Sequence, residues 1–124
     1  MLFIFGESEK GAFCRPTFCK QLVDLMRLFG HPPEMSQGLF FATQTLLLEK
    51  PCLFFRVEEE GYSVKDYLKG LDILKRDFEH LNIHAIGLPG VGSQSLIEKT
   101  ERCLNKQRSL ILLNDQDLFD YLTS

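Results

Sequence analysis

The chain has 124 residues, of which 44% are apolar and 25% charged, and a formal charge of −3. That length fits one domain, 1–124, with a real core, and leaves little room for two. The composition argues against disorder, and the lack of a basic surplus argues against nucleic-acid binding.

Met1 to Phe5 is apolar but stops at Gly6 and Glu7. It is too short for a signal peptide and has no basic start. No apolar run approaches the ~20 residues of a membrane span. The expected setting is cytoplasmic, with no membrane partner. Cys14, Cys19, Cys52 and Cys103 contain no CxxC pair. They read as free thiols, and no metal site is expected.

Leu2 to Phe5 predicts a buried first strand closed by Gly6. Glu7 to Arg15 forms a long polar loop. Pro16 suits the first turn of a helix carrying Phe18, Leu22, Leu25, Met26 and Phe29. Gly30 ends that run, and His31, Pro32 and Pro33 cannot continue it. Ser36 to Glu49 predicts a second helix. Pro51 to Val57 predicts a second strand, followed by a solvated turn at Glu58, Glu59 and Glu60. Ser63 is placed to cap a helix with a stripe at Val64, Tyr67, Leu68, Leu71, Leu74, Phe78 and Leu81. Ile83 to Ile86 predicts a third strand. Ser93 or Ser95 opens a helix with Leu96, Ile97, Thr100, Cys103 and Leu104. Ser109 to Leu113 predicts a fourth strand, and Asp115 to Leu122 a last short helix.

Short apolar strands that alternate with amphipathic helices predict a three-layer α/β/α domain. Its sheet is short, mainly parallel and of about four strands, in a Rossmann-like or flavodoxin-like architecture. Leu53, Phe55, Ile86, Ile111 and Leu112 are its expected core.

In such a sheet, ligands bind beyond the C-terminal ends of the strands. The strongest motif there is Gly87-Leu88-Pro89-Gly90-Val91-Gly92-Ser93. It is a strand-to-helix turn whose backbone can approach an anion. It superficially resembles a P-loop, but the lysine that chemistry needs is absent. Gly87, Gly90, Gly92 and Ser93 are therefore candidate ligand-binding residues without an assigned ATPase role. In the first loop, Lys10 and Arg15 are candidate counter-charges and Glu7 a candidate polar contact. Cys14, beside Arg15 and a helix start, is a candidate thiolate. Glu7 with Asp115 and Asp117 is a candidate divalent-metal set, but Asp115 reads better as a helix cap.

The expected function is recognition of a small phosphorylated or nucleotide-like ligand at the strand ends. Neither a catalytic residue nor a cofactor can be named, and whether the chain is an enzyme is left open. The alternative is a protein-interaction module or accessory subunit, with a protein partner or homo-oligomer. Its candidate surface is the apolar segment Leu39 to Phe41.

Overall fold

The computed structural model describes residues 1–104 and 110–124, and only the backbone of Phe78 and Glu79. Ten elements follow in chain order: β1 (Leu2–Gly6), β2 (Thr17–Cys19), α1 (Leu22–Phe29), α2 (Gly38–Leu47), β3 (Cys52–Arg56), α3 (Val64–Leu81), β4 (Ala85–Gly87), α4 (Gln94–Leu104), β5 (Leu110–Leu112) and α5 (Asp115–Thr123). They form one α/β domain around a five-stranded sheet in the order β2-β3-β1-β4-β5. Strands β3, β1, β4 and β5 run parallel. The third parallel strand lies beside the first, which is the flavodoxin-like order among doubly wound sheets. The reversal of chain direction across the sheet falls between β1 and β4.

The fifth strand corrects the expected count of four. Thr17–Cys19 is not the start of a helix. It pairs antiparallel with β3, placing Thr17 opposite Phe54 and Cys19 opposite Cys52. Its residues alternate between half-buried, exposed and buried, a period of two. A β-branched Thr17 and an aromatic Phe18 favour that extended form. Helix α1 starts only at Leu22, where Asp24 Oδ2 accepts the Gln21 N–H at 3.1 Å. Gly30, at φ +73°, ends it and donates its N–H to Met26 O.

The sheet is covered on both faces. On one, Phe3, Phe5, Leu53, Phe55 and Ile86 pack against Tyr67, Leu71 and Leu74 of α3 and Leu96 and Leu104 of α4. On the other, Leu2, Ile4, Cys52 and Phe54 pack against Leu25 and Phe29 of α1, Leu39, Phe41, Ala42 and Leu46 of α2, and Leu118 of α5. Phe5 stacks on Tyr67 at 5.0 Å between centroids and meets Phe55 at 5.1 Å. Such pairs contribute about 0.5–1.5 kcal/mol each beyond their buried area. Of the expected strand core, Leu53, Phe55, Ile86 and Leu112 are buried and Ile111 is half-buried. Phe78, expected in the α3 stripe, and Ser109, expected in the last strand, lie outside the described side chains and residues respectively. No described helix is long and apolar enough to cross a membrane.

Helix α2 has no side-chain cap of its own. Ser36, expected at its start, donates its hydroxyl to Pro33 O instead. Gly38, its first residue, lies against Gly6 at the end of β1. A Cβ on either would come within 2.6 Å of the other's Cα. This close approach seats the α2 N-terminus directly over the C-terminal end of the central strand.

Candidate functional site

The first loop is held away from the middle of the sheet. Its Glu9 and Lys10 N–H groups donate to Phe29 O, and Glu9 Oε1 accepts the His31 N–H. The loop thereby caps the C-terminus of α1. From β3, the Arg56 guanidinium donates to Gly11 O and Ser8 O and stacks 3.9 Å from the centre of the Phe13 ring. The length of this loop is spent on closing α1, and Lys10 and Arg15 are exposed on it.

At the centre, Glu60 joins three segments. Its carboxylate accepts the Gln37 N–H at 2.6 Å, the Gly38 N–H at 2.9 Å and the Glu7 N–H at 3.1 Å. In return, Glu7 Oε2 accepts the Glu60 N–H at 2.8 Å. Glu60 is therefore the acid that satisfies the start of α2. Burial pushes its carboxyl above the usual range, although the backbone N–H groups of Gln37, Glu7 and Gly38 pull the other way. The expected solvated turn at Glu58 to Glu60 holds for Glu58 and Glu59, which are exposed, and fails for Glu60. Gly61, the next residue, has φ +88° and packs on the Gly90 backbone. Its N–H donates to the Tyr67 hydroxyl at 2.6 Å.

Beside this junction lies a cavity of about 410 Å³, lined by Gln37, Phe41, Pro89, Gly90, Leu113, Asn114, Asp115 and Gln116. It sits at the C-terminal ends of β4 and β5, bounded by the two loops that follow them and by the start of α2. Gly90 has φ +79°, and no atom comes closer than 3.9 Å to where its Cβ would stand. Ser93 caps α4 as expected, its hydroxyl accepting the Leu96 N–H at 3.3 Å. Asn114, rather than Asp115, caps α5 by accepting the Asp117 N–H at 2.9 Å. Asp117 Oδ2 in turn accepts the Leu113 N–H.

Of the seven residues expected to bind a ligand, Gly90 lines the cavity. Gly87 is buried in β4, where a Cβ would meet the Phe41 ring. Gly92 and Ser93 follow Gly90 at the start of α4. Glu7 is engaged with Glu60, and Lys10 and Arg15 remain with the first loop. Among the described residues, no three His, Cys, Asp or Glu side chains converge so as to hold a metal ion. Glu7 and Asp117 have separate backbone partners. Sequence reading missed Gln37, Phe41 and Leu113, because their approach depends on how α2 and β5 dock. It also missed Glu60, whose hydrogen-bond partners stand 22 to 53 residues away.

Cys14 is not an activated thiol. Burial and its hydrogen bond to Asp66 Oδ1, at 3.2 Å, push it up to about 11. Cys19 and Cys52 are fully buried, and burial pushes them up to about 11 and about 12. All four cysteines are free. Alkylation of the native protein near pH 8, read by mass spectrometry, is expected to label half-buried Cys14 and Cys103 slowly. Cys19 and Cys52 should react only on unfolding. Rapid labelling of Cys14 would contradict the hydrogen-bonded thiol.

No protein-family model, curated protein or solved structure matches the chain. What stands on its own is a doubly wound α/β domain with a cavity at the C-terminal ends of its strands.

Proposed function

We propose that the protein binds a small nucleotide-like or otherwise phosphorylated ligand in the cavity between the β4–α4 and β5–α5 loops. The observation that carries this reading is the position of the cavity. Open parallel sheets take ligands beyond the C-terminal strand ends, and this cavity stands at those of β4 and β5, on one side of the reversal between β1 and β4. The volume lies within the usual range of small-molecule sites, about 300–1,000 Å³. Gly90 supplies an open stretch of backbone at its edge. Among the described residues, the N–H groups of Gly90, Gly92 and Ser93 donate to no protein acceptor. No reaction is part of this proposal.

Calorimetric titration with nucleotides and sugar phosphates, paired with melting curves, tests it. Gly90→Val puts a branched side chain on a cavity-lining backbone segment and is expected to abolish binding. Its own strain at φ +79° is expected to cost about 1–2 kcal/mol of stability. Ser93→Ala removes the α4 cap and is expected to cost about 1 kcal/mol of stability. Gly92→Ala meets open space and serves as the folded control. Wild-type affinity in Gly90→Val, or no thermal shift with any ligand, would overturn the proposal.

The second reading is an interaction module. It is favoured by exposed apolar side chains on α1 and α2, which cover the same sheet face: Val23, Met26, Phe40 and Leu47. Within the segment Leu39 to Phe41, Phe40 alone is available for this, because Leu39 and Phe41 are core. Failure of every ligand in the titration would leave this reading in the lead.

A further inference from the structure

We propose that the cavity holds the uncharged, hydroxyl-bearing part of the ligand, a ribose or a similar polyol, and that any phosphate stays outside it. This rests on the ligand-binding reading above and narrows it. Among the described lining residues there is no lysine, arginine or histidine, and Asp115 brings a negative charge. The candidate cations Lys10 and Arg15 lie on the first loop, which Arg56 fastens on the β3 side of the sheet.

The two helix starts that border the cavity already have partners within the protein, the Glu60 carboxylate at α2 and the Asn114 side chain at α5. Glu60 takes the Gln37 and Gly38 N–H groups of α2. Asn114 Oδ1 takes the Asp117 N–H of α5, and Asp115 and Asp117 place two acidic side chains in its first turn. A phosphate entering here would meet Asp115 with no cation among the described lining residues to offset it, and Glu60 already holds the α2 donors, which leaves only the open N–H groups of Gly90, Gly92 and Ser93 at the cavity's edge.

Hydroxyl groups suit the same lining. Asp115 is exposed, and among the described residues its carboxylate has no hydrogen-bond or ion-pair partner. It can accept from two neighbouring hydroxyls. Asn114 uses its Oδ1 on the Asp117 N–H, which leaves its NH₂ as a donor. The Gln37 side chain has no hydrogen-bond partner among the described residues and offers both a donor and an acceptor. Phe41, Pro89 and Leu113 supply an apolar wall for the face of a ring.

The test is calorimetric titration of the full chain with matched pairs of neutral and phosphorylated probes. These are the four common ribonucleosides with their 5′-monophosphates, and glucose with glucose 6-phosphate, each with and without excess inorganic phosphate. In the best-binding pair, the two members are expected to agree within about three-fold, because a phosphate left in water adds little. Inorganic phosphate is expected not to compete. Asp115→Asn is expected to weaken both members about ten-fold or more, the scale of one hydrogen bond to a charged group. Gln37→Ala, with its backbone contact to Glu60 intact, is expected to weaken both as well. A phosphorylated member that binds about 100-fold tighter and is tightened further by Asp115→Asn would leave the ligand site standing and overturn this inference, since only a site that grips phosphate gives that pattern. Absence of binding by every probe would overturn both.

Discussion

Gly38→Ala is expected to destabilise the protein by more than about 3 kcal/mol, although alanine is the better helix former by about 1 kcal/mol. The sign is set by the neighbour. A Cβ at Gly38 would stand 2.5 Å from Gly6 Cα, 2.8 Å from Glu60 Oε1 and 3.1 Å from Phe5 O. Two of those atoms are backbone of the central strand and cannot swing aside. To admit the methyl group, α2 must lift from the end of β1, which withdraws Leu39, Phe41 and Ala42 from the core. Gly6→Ala meets the same obstacle from the other side and is expected to behave alike. Urea melts compared with Gly92→Ala, which should stay within about 0.5 kcal/mol of wild type, measure the effect. A stabilised Gly38→Ala would show that α2 stands off from β1.

Glu60→Ala is expected to cost about 2–4 kcal/mol, because it strands the N–H groups of Gln37, Gly38 and Glu7 at a largely buried junction. Glu60→Gln keeps the shape but turns an N–H₂ group toward those donors, so a smaller loss is expected. The pair also isolates a pH effect. Burial raises the Glu60 carboxyl above its ordinary 4.5 in the folded protein. The folded state therefore binds the proton more readily than the unfolded one. This titration contributes stability that is full below pH 4.5 and is lost as pH rises through the raised folded value. The stability of wild type relative to Glu60→Gln is thus expected to grow on acidification toward pH 4.5 and then level off. Asp66 has the opposite sign. Burial opposes its charge, but the Glu58 N–H, Cys14 and Ser63 outweigh that and hold its carboxyl below 3.8. Its contribution is present above pH 3.8 and fades as pH falls through the folded value. Chemical denaturation across pH 4–7 on both proteins checks the Glu60 result, and a flat difference would show that the carboxylate is not desolvated.

Legibility in the sequence followed the range of the forces involved. The strands β1, β3, β4 and β5 were readable as short continuous apolar runs, since a sheet covered on both faces buries nearly every residue of its inner strands, and helices α3, α4 and α5 because their apolar residues recur every third and fourth position. Ser93 was readable as a cap because its partner Leu96 is one turn away. Strand β2 was not. Its three residues carry too few periods, and Phe18 falls by chance in register with the stripe of α1. Its pairing depends on β3, which lies more than thirty residues further on. The site was half legible. Doubly wound topology places the four strand-end loops together, and Gly90 is where it was expected. Which loops actually meet is a matter of docking. The first loop was drawn to α1 by backbone hydrogen bonds at Phe29. Glu60 and α2 took the place expected of Lys10 and Arg15. No local pattern distinguishes Glu60 from exposed Glu58 and Glu59.

The outer strands of the sheet, β2 and β5, are three residues each. Pro16 directly precedes one of them. A strand that short offers an incoming chain very few free backbone groups, and proline beside it removes a donor. Lateral growth by strand addition between copies is therefore poorly templated at the β2 border. In a crowded solution, the shortness of the hydrogen-bond ladder at that edge works against fibre-like self-association, independently of net charge.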